Sequence, residues 1–486
     1  MKRRIWPVML AVPVGLAACS TVVPDTYTNE AVSFQAIADQ TSNAIGKRTA
    51  FAKTQAQNEA LLQEVRGLVL GKTISAETAV QAALLNNKGL QAAYASAGLS
   101  AAEVWQQMTP ENPVVSIGLL GIGAPELGLY RALESTIAIN LLDTKTRKQR
   151  IEVAEAQFQK AQLTAVQETL VLASGTRQAW INAVAAFERL GYLRKASEAA
   201  SAGAELASQL GRTGALNKAG QAREFAFHAE LAGQLARARL EASLAKEELT
   251  RLMGLWGQDA RYYVPDALPS LPNSLSRVTS IETAALKNRV DLKVAKIGLE
   301  AQARAFGLTD QTRLVTDLEL IAGLESERER EDASTNTDTR PQLELEFAIP
   351  IFDRGKARQL KAELSYMQAA NQLAERAVNV RSEARSAELA YHATYEIARH
   401  YRDVVLPLRK SIEEEGLLSY NGMITNTFEL LTDLRGKLSS ALEAANAKRD
   451  FWLAQANVNA AIYGGGAGSS TLNAGAGIAD DSGASH

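Results

Sequence analysis

The sequence predicts a mostly α-helical chain with a small β part, built from two internal repeats of a helix–strand–strand–long helix–helix plan. Three observations predict it. First, the same landmarks occur twice in the same order. Ala82–Ala92 (AALLNNKGLQA) aligns with Ala284–Val294 (AALKNRVDLKV) at a spacing of 202, Ile137–Asp143 (IAINLLD) with Phe347–Asp353 (FAIPIFD) at 210, and Gly214 with Gly422 at 208. That period far exceeds a short solenoid unit, so each copy is a large part of one architecture. Second, four segments alternate apolar and polar residues with period two. Third, the chain after Asp143 runs to about Leu210 without a proline.

The first residues read as a targeting segment. Lys2, Arg3 and Arg4 form a basic start, and Ile5–Gly15 is an apolar core too short for a permanent membrane span. Leu16-Ala17-Ala18-Cys19 then resembles a bacterial lipobox, which implies a signal peptide over 1–18 and a lipid on Cys19 as the mature N-terminus. Ser20 fits outer-membrane sorting, where Asp would imply inner-membrane retention. The bland reading is an ordinary signal peptide with an incidental cysteine. Cys19 is the only cysteine, so the chain offers neither an internal disulfide nor a thiolate metal cluster. Residues 19–71 are expected as an anchor and connecting segment with a short helix.

Two repeats follow, at 72–260 and 275–463. In the first, a helix is expected over about 76–108, strands around Val115–Leu120 and Ile137–Leu141, a long helix over 143–210 capped by Asp143, and a return helix over about 217–254. In the second, helices over about 280–306, 353–419 and 425–463 frame strands around Leu314–Gly323 and Gln342–Ile351. The long helices would reach about 100 Å at 1.5 Å per residue, and each is matched by two shorter helices end to end. Ala370, Leu373, Ala377, Val380, Ala384, Ala387, Tyr391, Thr394 and Ala398 form a seam of small residues that lets helices approach closely. Pro407 should kink the second long helix. Glu325–Arg340 (ESEREREDASTNTDTR) reads as a solvated hairpin loop or, more sharply, a surface recognition loop. Gly464–His486, rich in Gly, Ala and Ser, is expected as a disordered tail.

Composition excludes more than it selects. The chain carries 52 basic and 54 acidic residues, with no basic bias that would suggest nucleic acid. Beyond the signal peptide no run of about eighteen apolar residues exists, so a chain that crosses a membrane must use strands. Strands of about ten residues suit a membrane barrel, but four cannot close one, and several chains would have to pool them. No catalytic constellation appears. His392 and His400 are eight apart on one predicted helix, but ordinary packing explains them better than a metal. The six Met residues do not cluster, and Gly464-Gly465-Gly466 follows a helix where a phosphate loop would open one. No enzyme, cofactor or metal is expected.

The ALLNN–L and ALKN–L helices, the FAIPIFDRGKA strand-to-helix junction and the Gly-containing tips at Gly214 and Gly422 together resemble the TolC-type outer membrane factor family, over roughly 72–463. Asn140 stands where the second repeat has Pro350. The resemblance implies a homotrimer whose pooled strands form a twelve-stranded outer-membrane β-barrel, continued by a periplasmic α-helical coiled-coil tunnel. It further implies a periplasmic adaptor protein and an inner-membrane pump as partners, in efflux or secretion. It also implies an acidic, constricted periplasmic mouth. Glu429 and Asp433 are the aperture candidates, four apart on one helical face beyond the Tyr420–Asn426 turn, with Gln221 and Phe225 at the corresponding places in the first repeat. Two carboxylates about 6 Å apart repel by roughly 3 kcal/mol at an effective dielectric near 20, which favours cations or requires Arg435 and Lys437 as partners. The bland alternative is a solvated helix face. Two functions remain open: a passive exit duct, and a lipid-anchored coiled-coil scaffold that conducts nothing.

Overall fold

The computed structural model describes residues 23–123, 130–214, 216–275, 280–331, 334–422 and 427–464. In chain order its elements are α1 (Asp25–Thr28), α2 (Glu30–Ile45), α3 (Gln55–Val69), α4 (Ala76–Asn86), α5 (Lys88–Met108), β1 (Val114–Leu120), β2 (Ala132–Asn140), α6 (Leu141–Arg212) and α7 (Lys218–Leu252). There follow α8 (Ile281–Asn288), α9 (Val290–Gln311), β3 (Leu318–Glu331), β4 (Ser334–Phe347), α10 (Lys356–His400), α11 (Leu406–Asn421) and α12 (Thr427–Tyr463). Residues 19–71 therefore hold two substantial helices where one short helix was expected. Among the described residues no helix is long and apolar enough to cross a membrane. The chain divides into two compact units, 1–37 with 94–164 and 292–375, and 38–93 with 165–291 and 376–486. Each takes segments from both halves of the sequence.

The first unit holds a four-stranded sheet in the order β1-β2-β3-β4, with every neighbouring pair antiparallel. Its register places Val115 opposite Ile137, Ile139 opposite Leu320, and Leu320 opposite Leu345. The segment Glu325–Arg340 corrects an expectation. It is no loop: β3 and β4 continue through it, pairing Glu325 with Arg340 and Arg328 with Thr337. Its period-two pattern is carried by charged residues and by Thr337 and Thr339, whose branched side chains favour strands, so a search for apolar alternation passes over it. At the other end β4 stops at Phe347, short of Ile349 and Ile351. Pro350 has no N–H to give a ladder.

Strand β2 runs directly into α6. The N–H of Asp143 donates to Asn140 Oδ1 at 2.9 Å, so Asn140 and not Asp143 caps the helix. Asn is among the best N-caps, and the strand delivers it in extended geometry. Asp143 lies in the first turn, where a carboxylate suits the helix dipole, and pairs with Arg150. Nearby, Ala101, Val104, Ala154 and Phe158 form a small core with Tyr27, whose hydroxyl donates to Glu155 at 3.2 Å.

In the second unit the small-residue seam is buried from Val380 onward, and part of α6 is buried too. Trp180, Val184 and Leu170 of α6 and Val380, Ala384, Ala387, Tyr391, Thr394 and Ala398 of α10 all lie inside. Trp180 Nε1 donates to the Ile74 carbonyl at 2.9 Å, and Tyr391 stacks on Phe451 of α12 at 5.6 Å between centroids. The helix expected over 76–108 is broken at Asn87, and that over 280–306 is broken at Arg289. Asn87 is extended (ψ 121°), accepts from the Leu90 N–H at 3.1 Å and donates to the Leu252 carbonyl at 2.9 Å. One side chain thus caps two helices, and the break carries neither a proline nor a left-handed glycine.

Arg289, at the same place in the second half, is almost fully buried. Its guanidinium donates to Asp291 at 2.6 and 3.0 Å and also pairs with Glu383, while Asp291 receives Arg376 as well. Burial works to raise the Asp291 carboxyl. The hydrogen bonds and charges of Arg289 and Arg376 more than reverse it and hold the group below the usual carboxylate range.

The interruption expected at Pro407 takes a specific form. Tyr401–Val405 is a π turn, with the Leu406 N–H reaching the Tyr401 carbonyl five residues back. Proline lacks an N–H and crowds the carbonyl four residues earlier, and the wider turn accommodates both defects.

Candidate functional site

The sheet separates two chemistries. Val115, Ile117 and Leu119, then Ile137 and Ile139, then Leu318, Leu320 and Leu324, then Leu343, Leu345 and Phe347 share one face by register. From Leu318 to Leu324 this band is roughly 20 Å tall at 3.3 Å per residue. On the edge strands its side chains are left uncovered, Ile117 being 71% exposed and Leu343 72%, while Ile137, Leu318 and Leu320 on the inner strands are half-buried. Alternation that ordinarily hides an apolar face here displays it.

The opposite face is acidic. Glu134, Glu319, Glu325, Glu327, Glu344 and Glu346 share it with Arg340 and Gln342. Gln342 Nε2 reaches across β3 to Glu134 Oε1 at 3.1 Å. Gly323 stands between them on β3, where an added Cβ would lie 2.8 Å from that amide nitrogen and 2.9 Å from the Ser135 carbonyl oxygen. A glycine is required for the crossing. Among the described residues β1 and β4 each have one strand partner, so two ladders of backbone groups end unpaired.

The helix-end turns lie in the second unit. Gly214 follows α6 with φ 79°, a left-handed position suited to glycine. Gly422 ends α11 with φ −79°, its N–H on the Leu418 carbonyl at 2.9 Å, so any residue could adopt its backbone. The two glycines end their helices in different conformations. Residues 423–426 lie outside the described residues, as do Cys19 and the tail beyond Gly464.

Glu429 is exposed in the first turn of α12 and Asp433 half-buried one turn on. The cations suggested for them are committed elsewhere. Arg435 pairs with Glu224 at 3.5 Å and lies 4.0 Å over the Phe227 ring, and Lys437 pairs with Glu413. Sequence reasoning passed over Glu224, a buried acid in α7. It stands between Arg223 and Phe225, three positions past Gln221, whose own side chain donates to the Leu216 carbonyl at 3.2 Å, and nothing in that local sequence marks it. Phe225 is exposed. The acid nearby in the first half is thus buried and paired with an arginine.

No family model and no curated protein matches the sequence. Solved structures do. The CmeC outer membrane channel of Campylobacter jejuni is 18% identical, with 88% of this chain and 92% of that chain covered at a TM-score of 0.63. The chain has the TolC-type outer membrane factor fold. The outer-membrane channel OprN is 17% identical with 88% and 96% covered at a TM-score of 0.64, and the open state of MtrE from Neisseria gonorrhoeae is 14% identical with 83% and 89% covered at 0.57. These neighbours are outer-membrane channels, and at such identities the likeness is one of fold.

Proposed function

We propose that the chain is one subunit of an outer-membrane exit channel in an efflux or secretion system. The duct is passive, energised by an inner-membrane pump through a periplasmic adaptor. The observation that carries this reading is the sheet, apolar on one face, acidic on the other and unpaired at both edges. Unpaired backbone groups are not tolerated in lipid. Joining β4 of one copy to β1 of the next removes every edge when three copies close into a twelve-stranded barrel, apolar outward and acidic toward water. A conduction-free scaffold needs no such band.

Supporting features agree with the assembly. Residues 72–260 and 275–463 follow the same element order and break a helix at Asn87 and Arg289, which supports two repeats of one plan. The lipobox at Cys19 supports lipid anchoring, with several acyl chains adding to the hold of the barrel. The Glu429 and Asp433 pair, three times over, would place six carboxylates at the periplasmic mouth.

Purified full-length protein in planar bilayers should give stepwise conductance, and its native mass in detergent should be that of a trimer. A monomeric particle with an intact strand signature and no conductance would refute the channel. Mass spectrometry of the mature N-terminus should find acylated Cys19; an unmodified cysteine there refutes the anchor.

A further inference from the structure

The strands hand over to helices at two places with one charge signature. Residues 141–150 carry Lys145, Arg147, Lys148 and Arg150 against Asp143, and residues 349–361 carry Arg354, Lys356, Arg358 and Lys361 against Asp353. Both acids are engaged: Asp143 pairs with Arg150, and Asp353 accepts from the Ala357 N–H at 3.2 Å. Just ahead of the second cluster the chain bares an apolar run, with Ile349 67%, Ile351 70% and Phe352 100% exposed. Three large apolar side chains bared within four residues point to a covering apolar phase.

The turn between these features is strained. Arg354 has φ 52°, in a left-handed region that a residue with a side chain seldom takes, and Gly355 follows at 71°. At Gly355 an added Cβ would lie 2.5 Å from the Arg313 carbonyl oxygen, so the glycine there is steric. At Arg354 nothing steric demands an arginine, and such strain at a non-glycine position points to a use for the side chain. Arg358 Nη2 donates to the Arg313 carbonyl at 3.1 Å. With Arg150, Asn140, Thr146 and Thr312 it lines an open cleft of about 250 Å³ beside the first turn of α6.

We propose that the two strand-to-helix junctions form a basic collar that binds the headgroups of anionic phospholipids in the bilayer leaflet on the helical side, with Ile349, Ile351 and Phe352 set among the acyl chains. The proposal rests on reading the sheet as membrane-spanning. The apolar band ends at Phe347 and the exposed run continues it by a few residues, which puts the collar at headgroup depth. Aromatic side chains gather at that depth, and each nearby Lys or Arg adds attraction to an anionic surface. Guanidinium groups match phosphate oxygens two at a time.

The test uses purified full-length protein in detergent with equal amounts of phosphatidylglycerol and phosphatidylcholine, the retained lipid being quantified by mass spectrometry over a salt series. The wild type should enrich phosphatidylglycerol, less so as salt rises. Replacing Lys145, Lys148, Arg354 and Lys356 with Gln should cut the enrichment by about fivefold per charge at low salt. Arg354→Gly separates the site from the fold: it relieves the turn, so Tm should hold or rise while enrichment falls. Equal retention of both lipids by the wild type overturns the proposal, as does unchanged enrichment in the quadruple variant. Displacement of the lipid by inorganic phosphate alone also overturns it, in favour of a free-anion site. Wild-type conductance in phosphatidylcholine bilayers reads the channel separately. Its absence alongside an intact lipid preference refutes the channel and leaves the collar standing.

Discussion

Asn86 donates from Nδ2 to the Gly254 carbonyl at 2.7 Å, so a buried side chain on α4 closes the end of α7, 168 residues later in sequence. It also reaches the Met253 carbonyl at 3.1 Å, and Gly254 turns away at φ 67°. The second half solves the same problem differently. Gly464 ends α12 at φ 93°, and an added Cβ would lie 3.3 Å from Asp291 Oδ1.

Asn86→Ala should lower stability by about 1–3 kcal/mol, because it takes the donor from two carbonyls, a buried one at Met253 and a partly buried one at Gly254. Asn86→Asp should cost more, since it faces a carboxylate with two carbonyl oxygens. Circular dichroism melting in detergent measures both, and wild-type melting of the pair would show that the cap is dispensable.

Asp291 should make the protein acid-sensitive within a narrow window. Its folded pKa lies below the unfolded value of about 3.9, so its contribution is complete above that pH and is lost as pH falls toward the folded pKa. Asp291→Asn should flatten that acid limb. At neutral pH it should cost about 3–5 kcal/mol by leaving Arg289 buried without its main counter-charge. Unfolding midpoints from pH 7 down to pH 2 read the difference between the two proteins.

Neighbouring residues on β4 should answer the same substitution oppositely. Leu345→Arg puts a charge on the apolar face, at about 2–4 kcal/mol near the bilayer midplane, and should abolish insertion. Glu344→Arg, on the acidic face, should insert normally and shift ion selectivity toward anions. Equal insertion of both variants would mean that the two faces do not divide lipid from water.

Glu429→Gln with Asp433→Asn should reduce cation preference and alter pore opening, with little change in melting. Reversal potentials under a salt gradient report the first and single-channel records the second. Wild-type values in both would leave these residues as surface charge.

The strands and helical seams were legible where apolar residues carried the period, as in Leu343–Phe347 and Val380–Ala398. They were illegible where another property carried it. The ladder from Glu325 to Arg340 alternates in charge and β-branching, so hydropathy alone made it a loop. The helix breaks at Asn87 and Arg289 involve hydrogen bonds to segments distant in sequence, and no proline announces them. Asn140 and Asp143 are both good caps, and only the end of β2 decides between them. At the candidate mouth the acids were visible, but the partners of Arg435 and Lys437 depend on which helices meet.

The π turn at Tyr401–Val405 amounts to one surplus residue in an otherwise continuous helix. At about 100° per residue, that surplus rotates every side chain beyond it by more than a quarter turn. Val380–Ala398 and the residues from Leu408 onward are therefore on different angular settings. Deleting a single residue there and replacing Pro407 with Ala would restore one setting throughout and swing Leu408 and Ile412 to another azimuth. The bulge works as a phase shifter, letting a single helix meet different neighbours above and below it.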